Sequence, residues 1–264
     1  MSLRHHEIAE SRHRILNPIT EDKLMLLGDI CRLEPGQRQL DLACGKGEML
    51  TRWAQKYGTG GVGVDLSEVF LTAARERAAE LGVSERVSFE RGDAGAYEAE
   101  PGAFDVVSCV GATWIGGGLA GTVDLLRPAM RPGGLMLIGE PYWTEPAPEG
   151  ALEAMGAEAD DFTSLVGTLD RFEAAGMELL EMVLADGDSW DRYAAAQWFA
   201  IADWLRDTPA DHPDAADMRD FLDHARRTHL EWNRRYLGWG VFVLREAGSS
   251  ARTDTGRVVR EPKS

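Results

Sequence analysis

The chain has 264 residues, 44% of them hydrophobic, enough to bury a large core without cross-links. Its 44 acidic side chains against 28 basic ones leave a net charge of −16 at pH 7; this repels polyanions at long range, and no basic block offsets it, so nucleic-acid substrates are disfavoured. No apolar run approaches the roughly 20 residues of a membrane span, the polar start MSLRHH lacks a secretory apolar segment, and Cys31, Cys44 and Cys109 are odd in number and widely spaced. The expectation is a cytoplasmic protein with reduced thiols, no disulfide framework and no zinc site.

Residues 1–19 are polar with little periodicity. Thr20 reads as an N-cap, with Glu21 and Asp22 suiting the first turn of a helix that runs to about Arg32 and is broken by Pro35-Gly36. Strand and helix then alternate. Strands are predicted at Gln39–Ala43, Gly61–Asp65, Arg86–Glu90, Phe104–Val110 and Leu135–Gly139. Helices are predicted at Glu48–Tyr57, from the Ser67 cap to Leu81, and at Leu119–Met130, before the Arg131-Pro132-Gly133-Gly134 stop. Five short apolar strands separated by helices argue a parallel sheet covered on both faces.

Beyond Glu140 the pattern changes. A helix over Asp161–Ala175 and a strand over Met177–Ala185 precede a helical stretch, 187–236, broken near Pro209 and Pro213. A last strand, Trp239–Leu244, closes a domain spanning 1–246, and the polar tail 247–264 reads as disordered. An excursion of this size between two strands reads as a lid or partner surface rather than a simple connection.

The chemistry centres on Asp41-Leu42-Ala43-Cys44-Gly45-Lys46-Gly47 and Asp65. The first strand ends in a glycine turn, where a ligand can reach backbone N–H groups and the start of the next helix. The second ends in a carboxylate placed for a ribose diol. A dinucleotide-binding GxGxxG would need Gly or Ala three places after Gly47, and that residue is Leu50. An adenosyl compound fits the pattern better.

Taken together, LDLACGKG, VGVDLS, GDA, FDVVSCV and MRPGGLMLIGE resemble the five ordered motifs of the class I S-adenosylmethionine-dependent methyltransferases, over about residues 35–185 and 239–245. The chain is most similar to the small-molecule branch that includes the quinone methyltransferases. HRILNPIT, SCVGATWIGGG, GEPYW and GWGVFVL are similar to a group of uncharacterised bacterial members. Ala43 departs from the family, which often has glycine there. The resemblance implies a Rossmann-like, seven-stranded, mostly parallel sheet with the last strand antiparallel. An N-terminal helical flap (1–34) and a helical lid before the last strand (187–236) complete that layout.

Carried onto this chain, the resemblance implies that Asp41, Ala43, Cys44, Gly45 and Gly47 line the methionine part of S-adenosylmethionine (product S-adenosylhomocysteine). Asp65 would hold the ribose, Leu66, Asp93 and Ala94 the adenine, and Cys109 and Val110 the sulfonium side. Methyl transfer needs an aligned nucleophile in a dry site, and a base only where a proton must leave. Glu140, at the end of the fifth strand beside Tyr142 and Trp143, and His13, in the flap, are the candidates for a base or anchor. Trp114, Tyr142, Trp143 and Tyr193 are candidates for contact with a small-molecule acceptor. Ser108-Cys109-Val110-Gly111 lacks the Asn/Asp-Pro-Pro-aromatic loop that grips planar amide or adenine nitrogens. Trp190, Tyr193, Trp198, Ile201 and Leu205 form a helical stripe that reads either as packing or as an aromatic pocket wall. The histidines and carboxylates show no ligand spacing, so no metal is expected. Three alternatives stay open: a protein or RNA acceptor, a binding protein without transfer, and any oligomeric state.

Overall fold

Seven strands, β1 (Arg38–Leu42), β2 (Gly60–Asp65), β3 (Val87–Arg91), β4 (Phe104–Val110), β5 (Met130–Trp143), β6 (Met177–Leu184) and β7 (Leu237–Glu246), form one sheet in the computed structural model, which describes residues 2–248. Their order is 3-2-1-4-5-7-6. β1 to β5 are parallel, and β7 runs antiparallel to both β5 and β6. This is the sheet the motifs imply. The tail expected to be disordered lies, beyond Gly248, outside the described residues.

The helices α2 (Glu21–Ile30), α3 (Glu48–Tyr57) and α4 (Glu68–Glu80) cover one face, and α5 (Leu119–Leu126) and α7 (Leu165–Ala174) the other. That double cover explains why Leu40, Leu42, Val64 and Val107 are almost wholly buried and why the strands read as apolar runs. The Trp53 indole N–H donates to Leu24 O at 3.1 Å, which ties α3 to α2 without leaving a buried donor unpaired.

Strand order reverses between β1 and β4, so a crevice opens at the carboxyl ends of β1, β2 and β4. Trp190 and Tyr193 of α8 (Gly187–Asp207) face it, and α9 (Ala215–Thr228) packs on α8, with a π turn, His229–Asn233, against α9. These helices connect β6 to β7, which are antiparallel neighbours; in topological terms residues 185–236 are one hairpin connection. A short helix, α1 (Leu3–Ala9), packs on them, burying Ile8 and Ala9 against Ile201, Met218 and Leu222.

Several boundaries differ from the sequence reading. Within the polar stretch 1–19 the chain forms α1, begun by Ser2, whose hydroxyl accepts from His5 N at 3.2 Å. Two turns are too few to show a periodicity. β5 extends over Met130–Trp143, well past the predicted Leu135–Gly139, because β7 pairs with it out to Trp143. α5 ends at Leu126, just before Pro128, where a helix cannot continue. The helix predicted from Asp161 begins only at Leu165, where the Ser164 hydroxyl accepts from Gly167 N, and an unexpected α6 spans Glu149–Met155.

Candidate functional site

The turn after β1 is left-handed at three places: Ala43 (φ 56°), Gly45 (φ 55°) and Gly47 (φ 63°). Ala43 therefore holds a backbone conformation that L residues avoid. A Cβ at Gly47 would overlap the Phe89 ring and lie 3.0 Å from the Ala74 Cβ, so the turn is packed from behind by β3 and α4. Asp65 closes the turn from the side. Its Oδ2 accepts from Gly45 N and its Oδ1 from Ser67 N, each at 2.8 Å. Asp93 accepts from Gly95 N at 2.9 Å, which shapes the next loop.

Asp41 is buried, and its Oδ1 accepts from the Ser108 hydroxyl at 2.7 Å. Burial pushes its carboxyl up to about 7; the Ser108 bond works against the shift and the nearby Asp65 charge works with it. This is the response of a carboxylate taken out of water without a cation beside it.

These groups open into one cavity of about 670 Å³. Asp41, Ala43, Cys44, Gly45, Asp65, Leu66, Asp93 and Ala94 line one end, with Val110 further along. The other wall is apolar and aromatic: Ile19, Leu24, Leu27, Pro141, Trp190, Tyr193 and Trp239, with Asn17 as a polar group. Trp114 stands at the cavity with 74% of its surface exposed.

The remaining sequence candidates fall outside this wall. Gly47 shapes the turn from behind. Cys109 is fully buried in the core of the α5 and α7 face, one residue out of phase with Val110, as strand alternation requires. Burial first, then the Asp41 charge, pushes its thiol far up. Tyr142 packs into that same core, and the Trp143 indole N–H donates to Ala159 O at 3.1 Å within a separate cluster. Glu140, expected at the acceptor, shares the Tyr142 side of β5 and accepts from the Thr113 hydroxyl at 2.6 Å. His13 lies one layer behind the wall, stacked on Tyr193 at 4.6 Å, with Nδ1 2.7 Å from Glu10 Oε2 and Nε2 buried without a partner.

Burial raises the Glu140 carboxyl to about 7, against the Thr113 bond. A carboxyl that binds its proton more tightly folded than unfolded loses stability as pH rises from about 4 through that value. Glu140→Gln is therefore expected to be more stable than the parent at alkaline pH, by up to about 3 kcal/mol, with the gain vanishing near pH 4. Urea unfolding across pH checks this; a pH-independent difference would exclude it.

Lys46 and Glu10 were not singled out by the sequence. Lys46, between the two turn glycines, is buried and donates its three protons to Glu10 O (2.7 Å), Ser11 O (3.3 Å) and His13 O (2.6 Å). Glu10, fully buried, accepts at Oε1 from the Tyr193 hydroxyl and from Gln197 Nε2, each at 2.6 Å. Burial alone would raise its pKa; the bonds from His13, Tyr193 and Gln197 outweigh that and leave it lowered. A lysine in a glycine turn ordinarily reads as solvated, and its partners lie more than thirty residues away, so no local pattern exposes it. Leu16 also packs on the turn, its Cδ1 2.6 Å from where a Gly45 Cβ would lie.

Residues 40–134 match a methyltransferase domain family. The fold superposes with TM-score 0.89 on the crystal structure of an S-adenosylmethionine-dependent methyltransferase from Geobacter sulfurreducens in complex with S-adenosylhomocysteine. The two chains are 47% identical, and the match covers 93% of this chain and 98% of that one. The uncharacterised protein YjhP of Escherichia coli is 48% identical over 239 residues, 90% of this chain and 96% of its own. The 27-O-demethylrifamycin SV methyltransferase of Amycolatopsis mediterranei is 29% identical over 88% of this chain and 87% of its own. With its motif-bearing loops assembled at one sheet edge and relatives this similar along nearly the whole length, the chain belongs to the S-adenosylmethionine-dependent methyltransferases.

Proposed function

We propose that the protein methylates a small, uncharged, planar acceptor, using S-adenosylmethionine held against the glycine turn. One observation carries the reading: a single cavity joins the carboxylates Asp41, Asp65 and Asp93 to a stretch of wall formed by Pro141, Trp190, Tyr193 and Trp239. A side chain at Gly45 would meet Leu16 and one at Gly47 the Phe89 ring, so the glycines keep the turn on its tight left-handed path, and Asp65 keeps lone pairs free for hydroxyl donors after its two backbone bonds. The residues fit the cofactor, and the Geobacter relative holds its by-product.

In this assignment Asp65 accepts from the ribose, Leu66, Asp93 and Ala94 flank the adenine, and Asp41, Ala43, Cys44 and Gly45 hold the methionine part. Val110 lies toward the acceptor. When bound, the cofactor supplies a methyl group on a cationic sulfonium, open to in-line displacement. Trp190, Tyr193 and Trp239 orient a planar acceptor and exclude water, and Asn17 offers it an amide. Charged groups of the lining are engaged elsewhere: Glu48 with Arg77, Arg14 with Glu80, and Lys46 with three carbonyls. Neither Glu140 nor His13 lines the cavity, so neither is assigned a part in removing the acceptor's proton; His6 is the imidazole of the lining. The rifamycin relative acts, by its name, on a small molecule through oxygen. The net charge and three unpaired cysteines support a cytoplasmic setting without nucleic-acid partners. Among the described residues no helix is long and apolar enough to cross a membrane, and no group of three or more metal-ligating side chains converges.

Calorimetry is expected to show S-adenosylhomocysteine binding and no NAD binding; the reverse would overturn the assignment. The Asp41 carboxyl, held near 7, adds a pH signature. The cationic methionine end favours the ionised form, so affinity should rise about tenfold per pH unit below 7 and flatten above it, with proton release on binding. Asp41→Asn should remove that dependence. A flat profile in the parent would take Asp41 out of the methionine site.

A further inference from the structure

The flap and the insert form one body apart from the sheet's own cores. Ile8 and Ala9 bury among Ile201, Met218 and Leu222, and Arg12 pairs with Asp203 and lies over the Phe199 ring. This body roofs the cavity, because Ser2, Leu3, His6 and residues 14–19 line it together with Trp190 and Tyr193. A roof that forms part of the wall influences how readily a bound ligand leaves.

Lys46 connects that roof to the opposite wall. Its ammonium sits in the turn joining α1 to the rest of the flap, and each of its protons has a carbonyl. Burying an ammonium is costly unless every donor is satisfied, so the site is stable only with the flap seated. Burial lowers the Lys46 pKa, partly offset by the Glu10 charge. The same turn returns to the acceptor wall. Glu10 takes the hydroxyl of Tyr193, His13 stacks on the Tyr193 ring, and Leu16 presses on Gly45. On the cofactor side Gly45 N donates to Asp65, and the Ser67 hydroxyl donates to Glu7 of α1 at 2.7 Å.

We propose that Lys46 and Glu10 are positioning residues: Lys46 latches the flap-and-insert roof onto the cofactor turn, and Glu10 transmits that seating to Tyr193 in the acceptor wall. An unbroken run of contacts then links the ribose carboxylate to the aromatic wall, through Asp65, Gly45, Lys46, the flap turn, Glu10 and Tyr193. The latch makes the acceptor site complete only when the cofactor turn is ordered, which favours binding of cofactor before acceptor. The proposal rests on the cofactor assignment above.

The test uses the full chain and S-adenosylhomocysteine. Lys46→Met keeps the stem and removes the three donors. It is expected to speed dissociation, read by stopped-flow tryptophan fluorescence, by about 10- to 100-fold. It should also remove most of the ligand-induced rise in melting temperature, which a merely structural residue would leave in place. In the unsubstituted protein, hydrogen exchange should show residues 3–13 and 187–207 gaining protection together on binding. A parental dissociation rate in Lys46→Met overturns the latch. If that variant does not fold, exchange in the unsubstituted protein decides: the two segments opening independently, or unaffected by ligand, also overturns it. Absence of any binding to the unsubstituted protein defeats the cofactor assignment instead, and is read separately.

Discussion

Asp65→Ala is expected to weaken S-adenosylhomocysteine binding by about 100-fold or more, since each hydrogen bond to an ionised group is worth about 1.5–3 kcal/mol. Asp65 does two jobs at once: its oxygens fix Gly45 N and Ser67 N at 2.8 Å, and their remaining lone pairs are assigned to the ribose. The alanine variant loses the ligand bonds and releases the turn that the ligand approaches. Asp65→Asn is expected to be nearly as damaging. An amide offers one acceptor oxygen and turns its NH2 toward one of two backbone donors that both need an acceptor. Calorimetry at fixed salt and pH decides; an affinity within about threefold of the parent would mean that Asp65 does not hold the ribose.

The second large effect falls on stability. Gly47→Ala is expected to cost about 2–4 kcal/mol, combining left-handed backbone strain of about 1–2 kcal/mol with overpacking of similar size. The new methyl group would overlap the Phe89 ring, 2.7 Å from its Cζ, in a pocket closed by Ala74. Ala43 separates the two contributions. It already holds φ 56° as an alanine, so strain alone is bearable in this loop, and Ala43→Gly should stabilise by about 1 kcal/mol at most. A Phe89→Leu background should recover part of the Gly47→Ala loss by making room. Equal losses in both backgrounds, measured by denaturant unfolding, would put the whole cost on the backbone.

The cavity end proposed for the cofactor was legible in the sequence because its geometry is local. A strand end, a turn and a carboxylate at the next strand end are each encoded within a few consecutive residues, and Asp41, Gly45, Asp65 and Asp93 fall where those rules place them. The acceptor end was less so. Glu140 and Cys109 stand on the right strands, but whether a strand residue faces the crevice is a question of parity. Val110 and Pro141 have that parity, and their neighbours Cys109 and Glu140 do not. The flap was least legible. Its fixing bonds join Lys46 to residues 10–13 and Glu10 to residues 193 and 197, separations over which no periodicity or spacing rule speaks. α1 is only seven residues long, and its burial depends on α8 and α9 being there to receive it.

The antiparallel pairing of β6 with β7 bears on how such a protein diversifies. Since residues 185–236 leave and return between adjacent strands, they can be lengthened, shortened or exchanged without altering the register of any strand that carries the cofactor groups. The entropic cost is slight, about 0.6 kcal/mol for each doubling of the connection. The exchange cannot be made alone, because Ile8 and Ala9 would face a foreign surface where Ile201, Met218 and Leu222 now receive them. A chimaera that takes residues 2–19 and 185–236 together from one relative should inherit that relative's acceptor preference, whereas one taking either segment alone should expose a greasy, mismatched seam. Any such exchange in this chain thus involves a discontinuous pair of segments, residues 2–19 and 185–236.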